Sequence, residues 1–277
     1  MHGSRYLPSL IDHHPRRSFA AIAGAVFKGI DGRCMFWRMQ VFTDKIERDD
    51  FDKMPEEYKD LLIRVLLVQV DSELGGPDLY LDSWVRNAPT LKDQLLLVKT
   101  AHEEIDHHRR FARILEQLGV DTWHITKRRR AERILETFRN PLETWAEMGA
   151  FGCLIDRVGQ FHLEDFTNCS YLPVAGIVPS ILEEERMHIA HGERILRDLC
   201  ATPEGMAEAQ AAVNKMYPSS LDMFGRSDSH RSDRYREWGI KGRSNAESRQ
   251  AYRETVDPFI LGLGLNLPDP EAGRHFL

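Results

Sequence analysis

Glu104-Ile105-Asp106-His107 and Glu185-Arg186-Met187-His188 are the two Glu-x-x-His strings of this chain. In an α-helix, residues three positions apart lie on one face, so each string can direct a carboxylate and an imidazole toward the same point. Two such helices packed antiparallel would bring both Glu/His pairs together around two metal ions. The strings therefore predict a helical protein with a metal site between two of its helices.

Two more carboxylates lie at matching distances before these strings. Glu73 closes an apolar helical face 31 residues before Glu104, and Asp156 closes an apolar run 29 residues before Glu185. The ferritin-like di-iron carboxylate proteins take one further carboxylate from each of two other helices, with each ligand level with its neighbour on the next helix. Four carboxylates and two imidazoles would neutralise two ferrous ions and suit their hardness. The predicted metal ligands are Glu73, Glu104, His107, Asp156, Glu185 and His188.

A simpler interpretation exists for the first string. A glutamate and a histidine three residues apart also occur on ordinary charged helix surfaces, and the polar neighbours Glu103, Asp106 and His108 keep that interpretation open for Glu104. Four matched positions at paired separations favour the metal site over a solvated surface.

Other polar residues near the predicted ligands are assigned structural roles. For Asp71 we expect an ion pair with an arginine such as Arg64, and a pair with Arg157 is the alternative to ligation for Asp156. Cys153 is interpreted as a small core residue. The histidines that flank the strings are interpreted as surface residues or as neighbours of the ligands: His102, His108 and His191.

Composition excludes several classes of protein. A chain of 277 residues that is 42% hydrophobic and 29% charged can bury a polar metal site inside an apolar core. The net charge of −6 argues against a nucleic-acid binder.

No stretch of about 18 apolar residues exists, so we predict no membrane span. The apolar run 19–27 follows Arg16-Arg17, as in a twin-arginine signal, but a buried helix is the favoured interpretation. Four cysteines without a C-x-x-C pair predict neither a zinc knuckle nor a disulfide framework, and they fit a cytoplasmic protein.

The distribution of apolar residues predicts an all-α protein, a ferritin-like four-helix bundle with additional N- and C-terminal helices. Long helices are expected over about 55–75, 88–118, 140–167 and 179–200, and the third should open with Asn140 as N-cap and Pro141 in the first turn. Shorter helices are expected over 203–216 and, capped by Ser244, over 245–256, with an irregular loop at 225–243. We expect residues 1–50 to form an N-terminal extension packed on the bundle, and residues 51–277 to form the di-iron domain with its C-terminal helical segment.

An ordered series of short segments resembles one known family. Over roughly residues 55 to 270 the chain is similar to the catalytic-subunit family of the phenylacetyl-CoA epoxidases, the ring-epoxidising di-iron proteins of phenylacetate catabolism. Each segment is weakly specific alone, but their order is specific. Besides the two Glu-x-x-His strings, the similar segments are Ser72-Glu73, Trp84 to Leu91, Leu96 to Lys99, Trp145 to Gly149, Met223-Phe224-Gly225 and Leu265 to Pro270.

The resemblance implies an O2-dependent di-iron monooxygenase that epoxidises or hydroxylates an aromatic or acyl substrate, with a CoA thioester as one form of that substrate. It implies two iron ions, or one manganese and one iron, with O2 as co-substrate. No flavin or nicotinamide fingerprint is present, so electrons would come from a separate reductase. A homo-oligomer or a paralogous subunit is the expected assembly. Lys99 would contact an acidic group of CoA, or it is an ordinary surface lysine.

Two other functions use the same fold. A ferroxidase or iron-handling ferritin-like protein would need the metal ligands but no organic substrate, and the appended segments after residue 225 argue weakly against it. A non-catalytic subunit of an oxygenase complex would not need a full ligand set, and the six predicted ligands argue against that assignment.

Overall fold

The computed structural model describes residues 41–276, and the described part is all-α, as predicted. Its one β-feature is an isolated bridge between Ile46 and Tyr171. In the described residues no helix is long and apolar enough to cross a membrane. The predicted helix at 19–27, Cys34 and most of the predicted N-terminal extension lie outside the described residues.

The α-helices of the described part are α1 Glu56–Ser72, α2 Gly75–Leu79, α3 Val85–Asn87, α4 Leu91–Gln117, α5 Trp145–Ala150, α6 Asp156–Phe166, α7 Leu172–Leu199, α8 Pro203–Asp222, α9 His230–Glu237 and α10 Asn245–Gly262.

Four rods form a bundle. They are α1, α4, the combined rod of α5 and α6, and α7; α1 packs on α4, α4 on α7, and α7 along both α5 and α6. A π-helical turn, Phe151–Ile155, joins α5 to α6 without breaking the rod. A second π-helical turn, Tyr80–Trp84, lies between α2 and α3. Such turns insert one residue into a helix and are frequent at functional sites.

Local signals set the limits of α4. The Thr90 hydroxyl accepts a hydrogen bond from the Asp93 backbone N–H at 3.1 Å, which caps the first turn. Gly119 follows the helix with φ of +78°, a conformation that glycine adopts without a steric penalty. Between these ends the inner face of α4 buries Leu97 and Ala101 near its start and Phe111 near its end.

The outer face of α4 carries an exposed apolar stripe. Leu91, Leu95, Val98 and Ile105 are 71%, 65%, 47% and 44% exposed. Their positions follow the helical period, so they lie along one line on the surface of the helix. We call these four residues the α4 stripe.

The apolar core has two parts, one toward each end of the bundle. α4 contributes Leu97 to the first cluster and Phe111 to the second, while α7 contributes Leu196 to the first and Val178 and Ile181 to the second. The Glu-x-x-His strings of α4 and α7 fall between these positions. The predicted ligands therefore form a polar layer between two apolar clusters.

Close helix packing on one side of this layer depends on glycines. A Cβ on Gly192 of α7 would lie 2.6 Å from the Gly152 carbonyl carbon and 2.8 Å from the Gly149 oxygen, well inside van der Waals contact. A Cβ on Gly149 would meet the Ile195 side chain at 2.6 Å. Without side chains at these positions, the backbone of α7 packs directly against the backbone of the rod formed by α5 and α6.

Several predicted helix limits are wrong. The third long helix begins at Trp145, not at Asn140-Pro141, and Thr144 supplies the cap, since its side chain accepts a hydrogen bond from the Glu147 backbone N–H. α7 begins at Leu172, and Pro179 lies inside it, since burial of Val174, Val178 and Ile181 on one face outweighs the lost hydrogen bond.

The C-terminal part is more helical than predicted. α8 and α10 continue to Asp222 and Gly262, beyond the predicted ends at 216 and 256. The predicted irregular loop contains α9, which the Ser229 side chain caps. Ser244 caps α10 as predicted, and Glu247 completes a capping box with it.

Candidate metal centre

Four buried residues on three helices converge between the apolar clusters. Glu73 at the end of α1, Glu104 and His107 on α4, and Glu185 on α7 each offer one ligand atom, and these atoms lie within 4.8 Å of one another. In the described part of the chain this is the one group of His, Cys, Asp and Glu side chains with metal-site spacing. All four residues are among the six predicted ligands.

The two histidines direct the same atom into this space. His107 Nδ1 lies 3.3 Å from a Glu185 oxygen and 3.6 Å from a Glu73 oxygen. His188 Nδ1 lies 3.2 Å from a Glu104 oxygen and 3.5 Å from the other Glu185 oxygen. Glu185 therefore lies between the two imidazoles, and Glu104, whose second oxygen is 4.0 Å from His107 Nδ1, occupies a similar place.

The opposite nitrogens of the histidines are held by carboxylates in a crossed pattern. His107 on α4 places Nε2 2.8 Å from Glu184 on α7, and His188 on α7 places Nε2 3.0 Å from Glu103 on α4. The two helices therefore run antiparallel, as predicted. When Nε2–H donates to the carboxylate, the neutral imidazole is in the tautomer whose Nδ1 lone pair faces the glutamates.

These outer carboxylates are themselves paired with cations toward the surface. Glu184 accepts a hydrogen bond from Arg110 at 3.0 Å, and Glu103 lies 3.0 Å from Lys99 Nζ. Lys99 is 54% exposed. The structure thus assigns Lys99 an ion pair with Glu103, while its contact with CoA stays a prediction.

The other two carboxylates of the predicted set accept hydrogen bonds from neutral donors. The Gln69 side-chain amide, four residues earlier on α1, donates to Glu73. The Tyr80 hydroxyl donates to Asp156, and it lies 3.1 Å from one carboxylate oxygen and 3.3 Å from the other. Asp156 contributes no atom to the four-residue group but interacts electrostatically with Glu185 and His188 from the start of α6.

Burial and the close approach of charged groups shift the pKa values of the centre. Burial and the charge of Glu185 raise the pKa of Glu104 well above its usual value. The same two causes raise the pKa of Asp156 to about 8. Burial opposes the charge of an imidazole, but the nearby carboxylates of Glu185 and Glu73 raise the pKa of His107 to about 11. Burial also opposes ionisation of Glu185, but the positive charge of His188 lowers its pKa to about 2.

The donor set fits a metal site for divalent cations. The Nδ1 atoms of His107 and His188 are buried without a hydrogen-bond partner, although buried polar atoms are nearly always partnered. Both face carboxylates, and the raised pKa values show that in the metal-free protein the imidazoles bind protons in compensation. A cation would replace these protons and supply the missing positive charge. Mixed oxygen and nitrogen donors suit iron or manganese.

The neighbouring residues have structural partners. Asp71 is paired as predicted, but with Arg128 at 2.7 Å and Arg133 at 3.5 Å rather than with Arg64. Arg157 pairs with Glu193, so the alternative of an Arg157–Asp156 pair is not formed.

The flanking histidines and Cys153 lie outside the ligand group. His108 Nδ1 is 2.8 Å from the Val70 carbonyl oxygen, and His191 Nε2 is 3.1 Å from Asp93. Cys153 is fully buried in the apolar core, where the burial raises the pKa of its thiol to about 12.

Sequence reasoning missed four residues that contact the predicted ligands. For Glu103 and Glu184 a signal exists, because each Glu-x-x-His string is preceded by a further glutamate. Gln69 has a weaker signal, its position one helical turn before Glu73. Tyr80 has none, since it lies 76 residues before Asp156 and on a separate element.

Comparison with known proteins gives consistent matches. A family model described as phenylacetic acid catabolic protein matches residues 39–275. The chain is 30% identical over 232 residues to a subunit of the 1,2-phenylacetyl-CoA epoxidase of Escherichia coli K12, which covers 81% of this chain and 74% of that protein. It is 25% identical over 238 residues to benzoyl-CoA oxygenase component B of Aromatoleum evansii, which covers 74% of this chain and 50% of that longer protein.

Proposed function

Because the chain belongs to the phenylacetic acid catabolic protein family, we propose that it is an O2-dependent di-iron monooxygenase for an aromatic or acyl substrate carried as a CoA thioester. The observation that carries the proposal is the crossed arrangement of α4 and α7. The Nδ1 atoms of the two histidines, which lack hydrogen-bond partners, lie there near three buried carboxylates, and apolar clusters lie on both sides of them. The relatives' names supply the substrate class, since one belongs to a phenylacetyl-CoA epoxidase and another to a benzoyl-CoA oxygenase.

The six ligands divide into two sets of three. Glu73, Glu104 and His107 would hold one ion, and Asp156, Glu185 and His188 the other. Glu104 and Glu185 lie between the two imidazoles, so their negative charges would stabilise cations held by either histidine. When bound, the ions would supply reductive activation of O2, with one oxygen atom entering the substrate and the other leaving as water.

The surrounding residues prepare this site. Glu103 and Glu184 hold the imidazoles by Nε2, so that Nδ1 stays directed inward. The apolar clusters on both sides of the ligand layer keep bulk water away from the reacting groups. Tyr80 keeps its hydroxyl on Asp156, at the edge of the layer where the first apolar cluster begins.

We propose two protein partners. A separate reductase would supply electrons, because the sequence has no flavin or nicotinamide fingerprint. A further polypeptide would complete the enzyme, since the relatives are named as parts of larger assemblies, one as a component and one as a subunit. Lys99 is proposed as a contact for an acidic group of CoA, which would have to compete with Glu103 for it.

The test is metal analysis followed by a single turnover. The protein, expressed with iron and reduced under anaerobic conditions, should contain about two iron ions per chain. It is then exposed to labelled O2 with phenylacetyl-CoA, benzoyl-CoA or the corresponding free acids. The proposal expects label in a thioester product, with about one product per pair of ions.

Each other outcome points to a different function. Label only in water, with progressive iron loading, would indicate a ferroxidase. Turnover of free acids but not of thioesters would contradict the CoA assignment alone. A protein without metal after iron-supplemented expression would overturn the proposal and indicate a non-catalytic subunit.

A further inference from the structure

Tyr80 contacts a predicted ligand, Asp156, from a π-helical turn that carries none of the predicted ligands itself. It is the first residue of the π-helical turn Tyr80–Trp84, and its side chain is fully buried. Asp156 directly follows the other π-helical turn, Phe151–Ile155. The hydrogen bond between Tyr80 and Asp156 therefore connects the two π-helical turns.

The position of the phenol ring is tightly fixed. The ring of Phe151 packs edge-on against it with centroids 5.8 Å apart. On the other side Gly76 leaves the necessary room, since a Cβ there would lie 3.2 Å from the ring and 3.3 Å from the hydroxyl oxygen. The hydroxyl is thus held in one place, and Asp156 has to orient toward it.

The two carboxylates outside the Glu-x-x-His strings are held differently. Glu73 receives its hydrogen bond from Gln69 on the same helix, a contact that any helix with this spacing could form. Asp156 receives its bond from Tyr80 on another element. The Tyr80 oxygen is nearly equidistant from both Asp156 oxygens, at 3.1 and 3.3 Å. Both Asp156 oxygens therefore face one donor, which lies on a different element.

We propose that Tyr80 is a positioning residue that holds the Asp156 carboxylate in the orientation in which it would bind metal. The inference rests on the proposed metal centre and adds an asymmetry to it. One of the two ion positions depends on a hydrogen bond from outside the four bundle rods, and the other does not. Loss of the Tyr80 hydroxyl should therefore affect one ion and leave the other unchanged.

The test is titration of the metal-free protein with Mn(II) in the absence of substrate and O2. Calorimetry measures the affinities, and electron paramagnetic resonance records the spectrum of the loaded protein. The Tyr80→Phe variant keeps the ring and removes only the hydroxyl. We expect one of the two Mn(II) ions to bind about tenfold more weakly and the resonance spectrum of the loaded protein to change, because one hydrogen bond to a charged group is lost. Tyr58→Phe is the matched control, since Tyr58 is equally buried and its hydroxyl bonds Ser170 at 3.0 Å, away from the ligands.

A double-mutant cycle separates positioning from general stability. In the Asp156→Asn background, Tyr80→Phe should have no further effect on Mn(II) affinity, because the hydroxyl acts through Asp156. Circular dichroism and the unfolding midpoint, each compared with those of Tyr58→Phe, show whether the variant is folded. Mn(II) affinities are compared in the cycle only among folded variants.

The outcomes distinguish this inference from the function it rests on. Two-ion binding by the wild-type protein, with the same affinities and spectrum in Tyr80→Phe, would overturn the role of Tyr80 and leave the metal centre intact. Equal losses of affinity in the presence and absence of the Asp156 carboxylate would also overturn it. A wild-type protein that binds no Mn(II) would overturn both.

Discussion

At the scale of single residues, Glu104 illustrates the repulsion between the buried carboxylates of the centre. Its raised pKa means that the metal-free protein favours a neutral, protonated side chain at this position. Glu104→Gln should therefore leave the free energy of unfolding of the metal-free protein unchanged or higher, and it should lower metal affinity at least tenfold because a ligand charge is lost. Metal content after dialysis and chemical denaturation measure the two effects.

Glu183→Gln provides the matched control for this variant. Glu183 lies on α7 near Glu185, but its side chain is 72% exposed and pairs with Arg186. It should change neither quantity beyond experimental scatter. Equal metal content in Glu104→Gln and Glu183→Gln would contradict the assignment of Glu104 as a ligand.

Asp156 should make the metal-free protein lose stability as pH rises. Its pKa is about 8 in the folded protein against an ordinary value of 3.8, so the folded state binds the proton more tightly. This contribution is fully present below about pH 4 and is lost as pH rises to about 8, by at most about 1.4 kcal/mol per pH unit for one group. The measurement is urea denaturation of metal-free protein between pH 5 and pH 8. In Asp156→Asn the contribution is absent, so a parallel pH profile in both proteins would contradict the prediction.

The sequence was sufficient to predict that Glu73, Glu104, His107 and Glu185 would lie together, whereas the residues that orient them were only partly predictable. Glu104 and His107 are recognisable because a helix fixes where residues three positions apart point. Glu103 and Glu184 follow from the same periodicity once the helices are known to run antiparallel. The partnership of Tyr80 and Asp156 depends on how separate elements pack, and no local pattern encodes it.

At the scale of the element, α7 depends on Gly192. A methyl group there would clash with the backbone at Gly152 and Gly149, which cannot move as a side chain can. Gly192→Ala should destabilise the protein by about 2–3 kcal/mol, and it should also weaken metal binding, since His188 lies one turn away on the same helix. Thermal unfolding and Mn(II) titration measure both effects.

Gly176→Ala on the same helix should have the opposite effect. A Cβ at Gly176 meets no other atom within 4 Å, and alanine favours the helix by about 0.5–1 kcal/mol over glycine. A similar destabilisation by both substitutions would show that the close approach at Gly192 is not the cause.

The limits of the elements were harder to predict than their existence. Ser244 precedes its helix as predicted, whereas α4 begins only after its cap Thr90, later than the predicted start at about residue 88. Pro179 misled because proline usually marks a helix start, whereas here the buried face of α7 extends past it in both directions. The turn Phe151–Ile155 was not predicted because all five of its residues are apolar and buried, so the change of helical phase that an inserted residue causes is hidden there.

At the scale of the whole molecule, the α4 stripe is surface that the fold leaves uncovered. Leu95→Glu combined with Val98→Lys should change the free energy of unfolding by no more than about 0.5 kcal/mol, because these side chains contribute little to the core. The substitutions should reduce the binding of an apolar fluorescent dye and retention on a hydrophobic column. Leu97→Lys, one residue away but only 1% exposed, should unfold the protein. Unchanged dye binding in the double variant would show that the stripe is already covered.

The crossed pairs of His107 with Glu184 and His188 with Glu103 have a consequence for how the molecule opens. Each pair fastens one helix to the other at a different level, so a local fluctuation that frees one histidine also strains the second pair. Backbone amides of α4 and α7 around the ligand layer should consequently exchange with deuterium at a common rate, as a single cooperative unit. Metal would slow that shared rate on both helices at once, which makes the kinetics of amide exchange on either helix a measure of occupancy in the centre as a whole.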